Sequence, residues 1–135
     1  MKAINIISHP LILIIAFSLI IISGQHLGGV YLLYILLALP HAGIHAVLAV
    51  SGICILIFSN YKFKRSFTYL IEPLLNIGGV ILLILSLFFF FLSDSSQYND
   101  STFYQLFPQI SLAVFAILAI IFLINNLIKI RQVAT

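Results

Sequence analysis

Four apolar runs dominate this chain, at 3–23, 30–58, 69–92 and 110–128, and Glu72 is the one charged residue inside any of them. An uncharged apolar stretch of about 18 residues or more reads as a membrane span. Hydrocarbon offers no hydrogen bonds to the backbone, so a span must bond internally and is helical. The expected fold is an all-α integral membrane protein, a bundle of four transmembrane helices forming one transmembrane domain over 1–135. The helices are expected at about 3–23, 30–58 with a kink at Pro40, 69–92 and 110–130, with a polar non-cytoplasmic loop at 93–109.

Composition closes off the alternatives. Hydrophobic residues make up 63% of the chain and charged residues 7%, against roughly 25% charged in a soluble domain. At 135 residues there is room for one small bundle and no separate soluble domain. The net charge of +3 comes from few basic residues at run ends, so no nucleic-acid partner is expected. The single cysteine, Cys54, excludes an internal disulfide and most zinc patterns, and is expected to be an inert buried thiol.

The amino-terminal run resembles a signal peptide in its Lys2 and its Ser23-Gly24. It is too long for a usual h-region and lacks an A-x-A-like site, so it is read as the first span. Basic residues favour the cytoplasmic side. Lys2, Lys62, Lys64, Arg65, Lys129 and Arg131 are all the Lys and Arg of the chain, and four spans put them on one side. Both termini are therefore expected in the cytoplasm, with the glycine-rich turn at 24–29 and the acidic loop outside.

The second run is too long for one upright helix, at about 43 Å against a core of roughly 30 Å. Tilting, a kink at Pro40, or an interfacial start carrying Tyr31 and Tyr34 would each accommodate it. Leu27-Gly28-Gly29-Val30 is echoed by Ile77-Gly78-Gly79-Val80. Apolar sequences match one another easily, so coincidence explains this better than an inverted repeat.

Small and polar residues fall in stripes of helical period. Tyr31, Tyr34, Ala38, His41, His45, Ala49 and Gly52 share one face, with Ala42 at its edge and Leu36, Ile44 and Val47 opposite. Glu72, Asn76, Gly79 and Ser86 form another stripe; Ser111, Phe115, Phe122, Asn125 and Lys129 a third; His9, Ala16 and Ser23 a fourth. In lipid such faces pack against protein, because small residues let backbones approach and polar side chains bond across helices. Ala38, Ala42, Ala49, Gly52 and Gly79 are thus the expected packing residues.

Ionisable residues in a span are costly and raise a functional question. Glu72, one turn into its helix, suits a first-turn acid, or a partner for Lys62, Lys64 or Arg65. With Asn76 it could also line a polar path. His41 and His45 have the i, i+4 spacing of metal-binding pairs, but Ala42-Gly43-Ile44 between them supplies no general base. If the first two helices form a hairpin turning near His26, His9 lies level with His41 and His45. That trio is the candidate ligand cluster, for a haem or for a metal of unknown identity. Asn99-Asp100-Ser101 matches a glycosylation sequon, as chance often provides.

No catalytic set emerges from this inventory. The leading expectation is a small non-enzymatic membrane protein, an accessory or docking subunit that binds itself or other membrane subunits within the bilayer. The alternatives are a small oligomeric transporter or channel using Glu72, Asn76, His41 and His45, and a haem- or quinone-binding redox anchor.

Overall fold

The computed structural model describes residues 9–24, 28–62, 70–92 and 94–134. Three of its helices are long and apolar enough to cross a membrane. They are α3 (Ile44–Lys62), α4 (Ile71–Leu92) and α5 (Leu106–Ala134). Two shorter helices precede them, α1 (Pro10–Ser18) and α2 (Tyr31–Ala38). A two-stranded antiparallel hairpin joins the short pair, with β1 (Ile21–Ile22) bonded to β2 (Gly29–Val30). Short 3₁₀ segments follow α2 (Leu39–His41) and α4 (Asp94–Phe103).

The first run is not one long helix over its described residues. The imidazole Nδ1 of His9 accepts from the Leu11 amide at 3.3 Å, and Pro10 follows at the first turn, so α1 starts there. It ends at Ser18, and the β-branched pair Ile21-Ile22 is extended. An extended chain exposes amides that hydrocarbon cannot satisfy. Here the bundle satisfies them. The Ile21 amide donates to Ser111 Oγ and the Ser23 amide to Thr102 Oγ1, each at 2.9 Å. The Ile20 carbonyl accepts from the Tyr31 amide at 2.7 Å.

The second run breaks outright where a kink was expected. Pro40 has no amide to continue the helical ladder. Ala42 turns left-handed, at φ 51°, and the Gly43 amide closes the end of α2 on the Ala38 carbonyl. The chain then re-enters a helix at Ile44. Thus Tyr31 and Tyr34 sit on a separate helix of 8 residues, about 12 Å long. Helix α5 begins at Leu106, ahead of the expected 110, because Pro108 falls in its first turn, where no helical amide is needed.

Helices α3 and α4 are antiparallel and form the closest contact in the bundle. The Ser86 hydroxyl donates to the His45 carbonyl, Gly52 faces Gly79, and Ser59 bonds Asn76. A Cβ on Gly52 would lie 2.9 Å from the Gly79 carbonyl oxygen, and one on Gly79 would lie 2.7 Å from Leu56 Cγ. Only glycine permits this approach.

The α1–β1 segment runs alongside α5. His9 lies in the region of Lys129, Phe17 touches Phe115 at 5.4 Å, and Ile21 meets Ser111. From Lys129 to Ser111 is a rise of about 27 Å. The core between the elements is Leu13, Phe17, Tyr31, Val80, Leu83, Phe90, Phe115, Ala119 and Phe122. Outward-facing positions are aliphatic or aromatic, including Leu37, Ile44, Val47, Leu74, Phe88, Ile117 and Ile124. The echoed glycines do not form a structural repeat, since Gly28-Gly29 lie at the hairpin and Gly78-Gly79 in α4.

Candidate functional site

Asn76 is the centre of a buried polar relay. It lies one turn beyond Glu72 on the inward face of α4 and is 3% exposed. Its side-chain N–H donates to Asn126 Oδ1 on α5 at 3.0 Å, and its Oδ1 accepts from the Ser59 hydroxyl on α3. The direction of the relay is fixed at its far end, where the Asn126 amide donates to the Phe122 carbonyl at 2.8 Å. Asn126 must therefore present oxygen to Asn76, and Asn76 must present oxygen to Ser59. One amide thus ties three helices together at a depth where an unpaired group would be costly.

The relay forms the floor of a cavity of about 530 Å³ at the end of the bundle where α1, α4 and their neighbours α3 and α5 meet. His9 and Pro10 come from α1 and its cap, Asn60 from α3, and Glu72 and Asn76 from α4. Phe122, Asn125, Asn126, Ile128, Lys129 and Gln132 come from α5. Pockets that bind small molecules usually span about 300–1,000 Å³. At the cavity wall Lys129 Nζ meets Glu72 Oε1 at 3.3 Å. Both are partly exposed, at 55% and 35%, so the pair contributes only about 0–1 kcal/mol. A second hollow, lined by Ile84, Leu87, Phe88, Phe91, Leu92, Phe103 and Leu112, is wholly apolar and holds no chemistry.

The bundle is closed at its other end. The Ser23 carbonyl accepts from the Ser101 and Thr102 hydroxyls, and the Ser23 hydroxyl donates to Gln105 Oε1 at 2.7 Å. Below these bonds lies an aromatic layer. Tyr31 sits edge-on to Phe17 at 5.3 Å and to Phe90 at 5.0 Å. Its hydroxyl shares a hydrogen bond with Ser86 Oγ at 2.9 Å.

The histidines expected to cluster are apart. His9 caps α1 beside the cavity, in the region of Glu72 and Lys129. His45 packs on Phe90 at 5.3 Å, and its carbonyl takes the Ser86 hydroxyl. Glu72 and Ser86 are 14 positions apart on α4, so the two histidines differ in height by about 20 Å. A count by helical rise does not carry through this region, because Ile21–Ile22 is extended and gains height faster per residue than a helix, and because α2 and α3 are separate. His41 is exposed, with Nδ1 3.3 Å from the Leu37 carbonyl. The Nε2 of His45 is buried without a partner among the described residues. Among those residues no three His, Cys, Asp or Glu groups approach closely enough to hold a metal.

The remaining site residues sort clearly. Glu72 pairs with Lys129 on α5; Lys64 and Arg65, two of its expected partners, lie outside the described residues. Ala49, Gly52 and Gly79 are buried at the packing face and Ala38 is half-buried. Ala42 is exposed, because it forms the left-handed cap of α2 and not a helical face. Cys54 is exposed on the outer face of α3, not buried. Asn60, Asn126 and Gln132 were not assigned to a site from sequence. The available signal was the recurrence of amides at the ends of three apolar runs, all on the basic side. No protein-family model, curated protein or solved structure matches the chain.

Proposed function

We propose that this is a multi-pass membrane protein that binds a small polar solute in the amide-lined cavity, and that it works as a carrier or receptor without catalysing a reaction. The observation that carries this reading is the cavity itself. It combines a size suited to a small ligand, an inward-facing set of amides and a loosely held Glu72–Lys129 pair, at one end of a bundle closed at the other. This favours the transporter-like reading over the docking subunit. The described polar side chains of α4 turn into the bundle, and the outward faces are aliphatic, as contact with lipid requires.

Four crossings accompany this reading. Helix α1, at about 13 Å, is too short to cross alone. The α1–β1 segment nevertheless follows α5 over nearly a bilayer thickness, its extended part bonded throughout. With α3, α4 and α5 it makes four passes in this reading, and the positive-inside rule supports an orientation with both termini and the cavity on the cytoplasmic side.

Protection from labelling tests the binding role. In a Cys54→Ser background, Gln132→Cys places a thiol at the cavity. Its reaction with a bulky maleimide is followed with glycine, glycerol, ethanolamine or inorganic phosphate present. Slower labelling with at least one of these is expected. No protection by any of them, with stoichiometric co-purification of another membrane protein, would return the account to the docking subunit. A visible haem spectrum in the purified protein would return it to the redox anchor.

A further inference from the structure

We infer that the cavity takes a zwitterion, a ligand carrying an ammonium and an anionic group a few atoms apart, with Glu72 receiving the first and Lys129 the second. This inference rests on the cavity being a binding site and names its ligand class.

Among the described residues, the two charged side chains of the cavity wall are one acid and one base, 3.3 Å apart. Every other described polar wall group apart from His9 is a neutral amide: Asn60, Asn76, Asn125, Asn126 and Gln132. Amides donate and accept equally and set no preference for either sign. Among the described wall residues, charge selection therefore falls to Glu72 and Lys129.

Their pairing is easily opened. Both are partly exposed and the contact is a single one, so it is worth little to stability. They also come from different helices, Glu72 from the first turn of α4 and Lys129 from near the end of α5. A lone anion would satisfy Lys129 but leave Glu72 facing an anion across a confined space. A lone cation would leave Lys129 in the corresponding position. A neutral solute would gain nothing from opening the pair. A zwitterion replaces one internal contact by two charge-assisted ones, each shorter and stronger than a neutral bond. The surrounding amides then complete the hydrogen bonding of both ligand groups.

Among the described residues, no other charged side chain lines the cavity. Arg131 is not among the wall side chains, and Asp100 lies in the 3₁₀ segment at the opposite end. Two sources offer the required chemistry, a free amino acid from the cytoplasm and the phosphoethanolamine headgroup of a lipid at the inner leaflet.

Thermal unfolding of the purified protein in detergent, with glycine, glycerophosphoethanolamine, acetate, inorganic phosphate, ethylammonium or glycerol added, decides among the classes. The expected result is a concentration-dependent rise in midpoint with a zwitterion and little or none with the other four. Stabilisation by glycine assigns the free amino acid as source, and stabilisation by glycerophosphoethanolamine assigns the headgroup. Glu72→Gln and Lys129→Met should each weaken zwitterion binding by about tenfold or more, as loss of one charged hydrogen bond implies. The exchange Glu72→Lys with Lys129→Glu restores the pair and should restore binding to within a few-fold. That rescue separates ligand contact from damage to folding. Equal stabilisation by acetate, phosphate, ethylammonium or glycerol would overturn the zwitterion and leave the binding cavity standing. No stabilisation by any probe, with unhindered labelling at Gln132→Cys, would remove both.

Discussion

Adjacent glycines on α4 give the cleanest test of the packing, because they change the same property in opposite surroundings. A Cβ on Gly79 would meet Leu56 Cγ at 2.7 Å, Leu56 Cδ2 at 3.0 Å and the Gly52 carbonyl oxygen at 3.2 Å. A Cβ on Gly78 would meet nothing within 4 Å. Relief to an ordinary carbon–carbon contact of about 3.5 Å requires α3 and α4 to part by roughly 0.8 Å, and such a gap forfeits about a quarter to a half of each contact's attraction. Overpacking of this kind costs about 1–3 kcal/mol. Both substitutions gain the same helical preference for alanine over glycine, up to about 1 kcal/mol. Gly78→Ala should therefore be neutral or stabilising and Gly79→Ala destabilising, with a gap of about 1–3 kcal/mol between them. Reversible unfolding in mixed micelles, followed by far-ultraviolet circular dichroism, measures the difference. If the two variants shift by the same amount in the same direction, the close α3–α4 contact is wrong.

Three further outcomes follow from particular contacts. Asn76→Leu leaves the Asn126 carbonyl oxygen without its partner, while the Ser59 hydroxyl keeps the Leu56 carbonyl at 3.0 Å, and should cost about 1–2 kcal/mol in the same assay; adding Asn126→Leu should cost less than the sum of the two single changes. Tyr31→Phe keeps the aromatic layer and removes the bond to Ser86, so a loss of about 0.5–1.5 kcal/mol is expected; no loss would mean the hydroxyl is idle. Ala42→Gly relieves a left-handed residue on an exposed cap and should stabilise by about 1 kcal/mol, whereas a loss would contradict the αL turn that separates α2 from α3.

What could be read from the chain was what period determines. The inward faces of α3, α4 and α5 follow from stripes such as Asn76, Gly79 and Ser86, all buried, and Val47 and Ile44 face outward as their positions opposite the stripe require. The interruption at Pro40 follows from its missing amide. Over the described residues 9–24 the chain departs from the expected single helix for a physical reason. Apolarity marks a segment for the membrane but does not set its conformation, and Ile21–Ile22 is as apolar extended as helical. Its extended form depends on Ser111 and Thr102, about 80 to 90 positions away, which no local pattern reveals. The same applies to the site. The sequence offers Glu72 the role of a first-turn acid or of a partner for Lys62, Lys64 or Arg65; it lies in the first turn of α4, and Lys129 reaches it because the end of α5 returns beside the start of α4. His9 was placed with the other histidines by counting helical rise through a segment that is not helical throughout.

The arrangement of passes is the claim on which the cavity's orientation and role depend. Impermeant maleimide applied to intact cells, with single cysteines in a Cys54→Ser background, tests it directly. Four passes predict that Ser96→Cys is labelled while Ala3→Cys, Ser66→Cys and Gln132→Cys react only after the membrane is permeabilised. Labelling of Ala3→Cys together with Ser96→Cys in intact cells would mean that the α1–β1 segment does not cross, and labelling of Gln132→Cys there would put the cavity on the outer face and contradict the account.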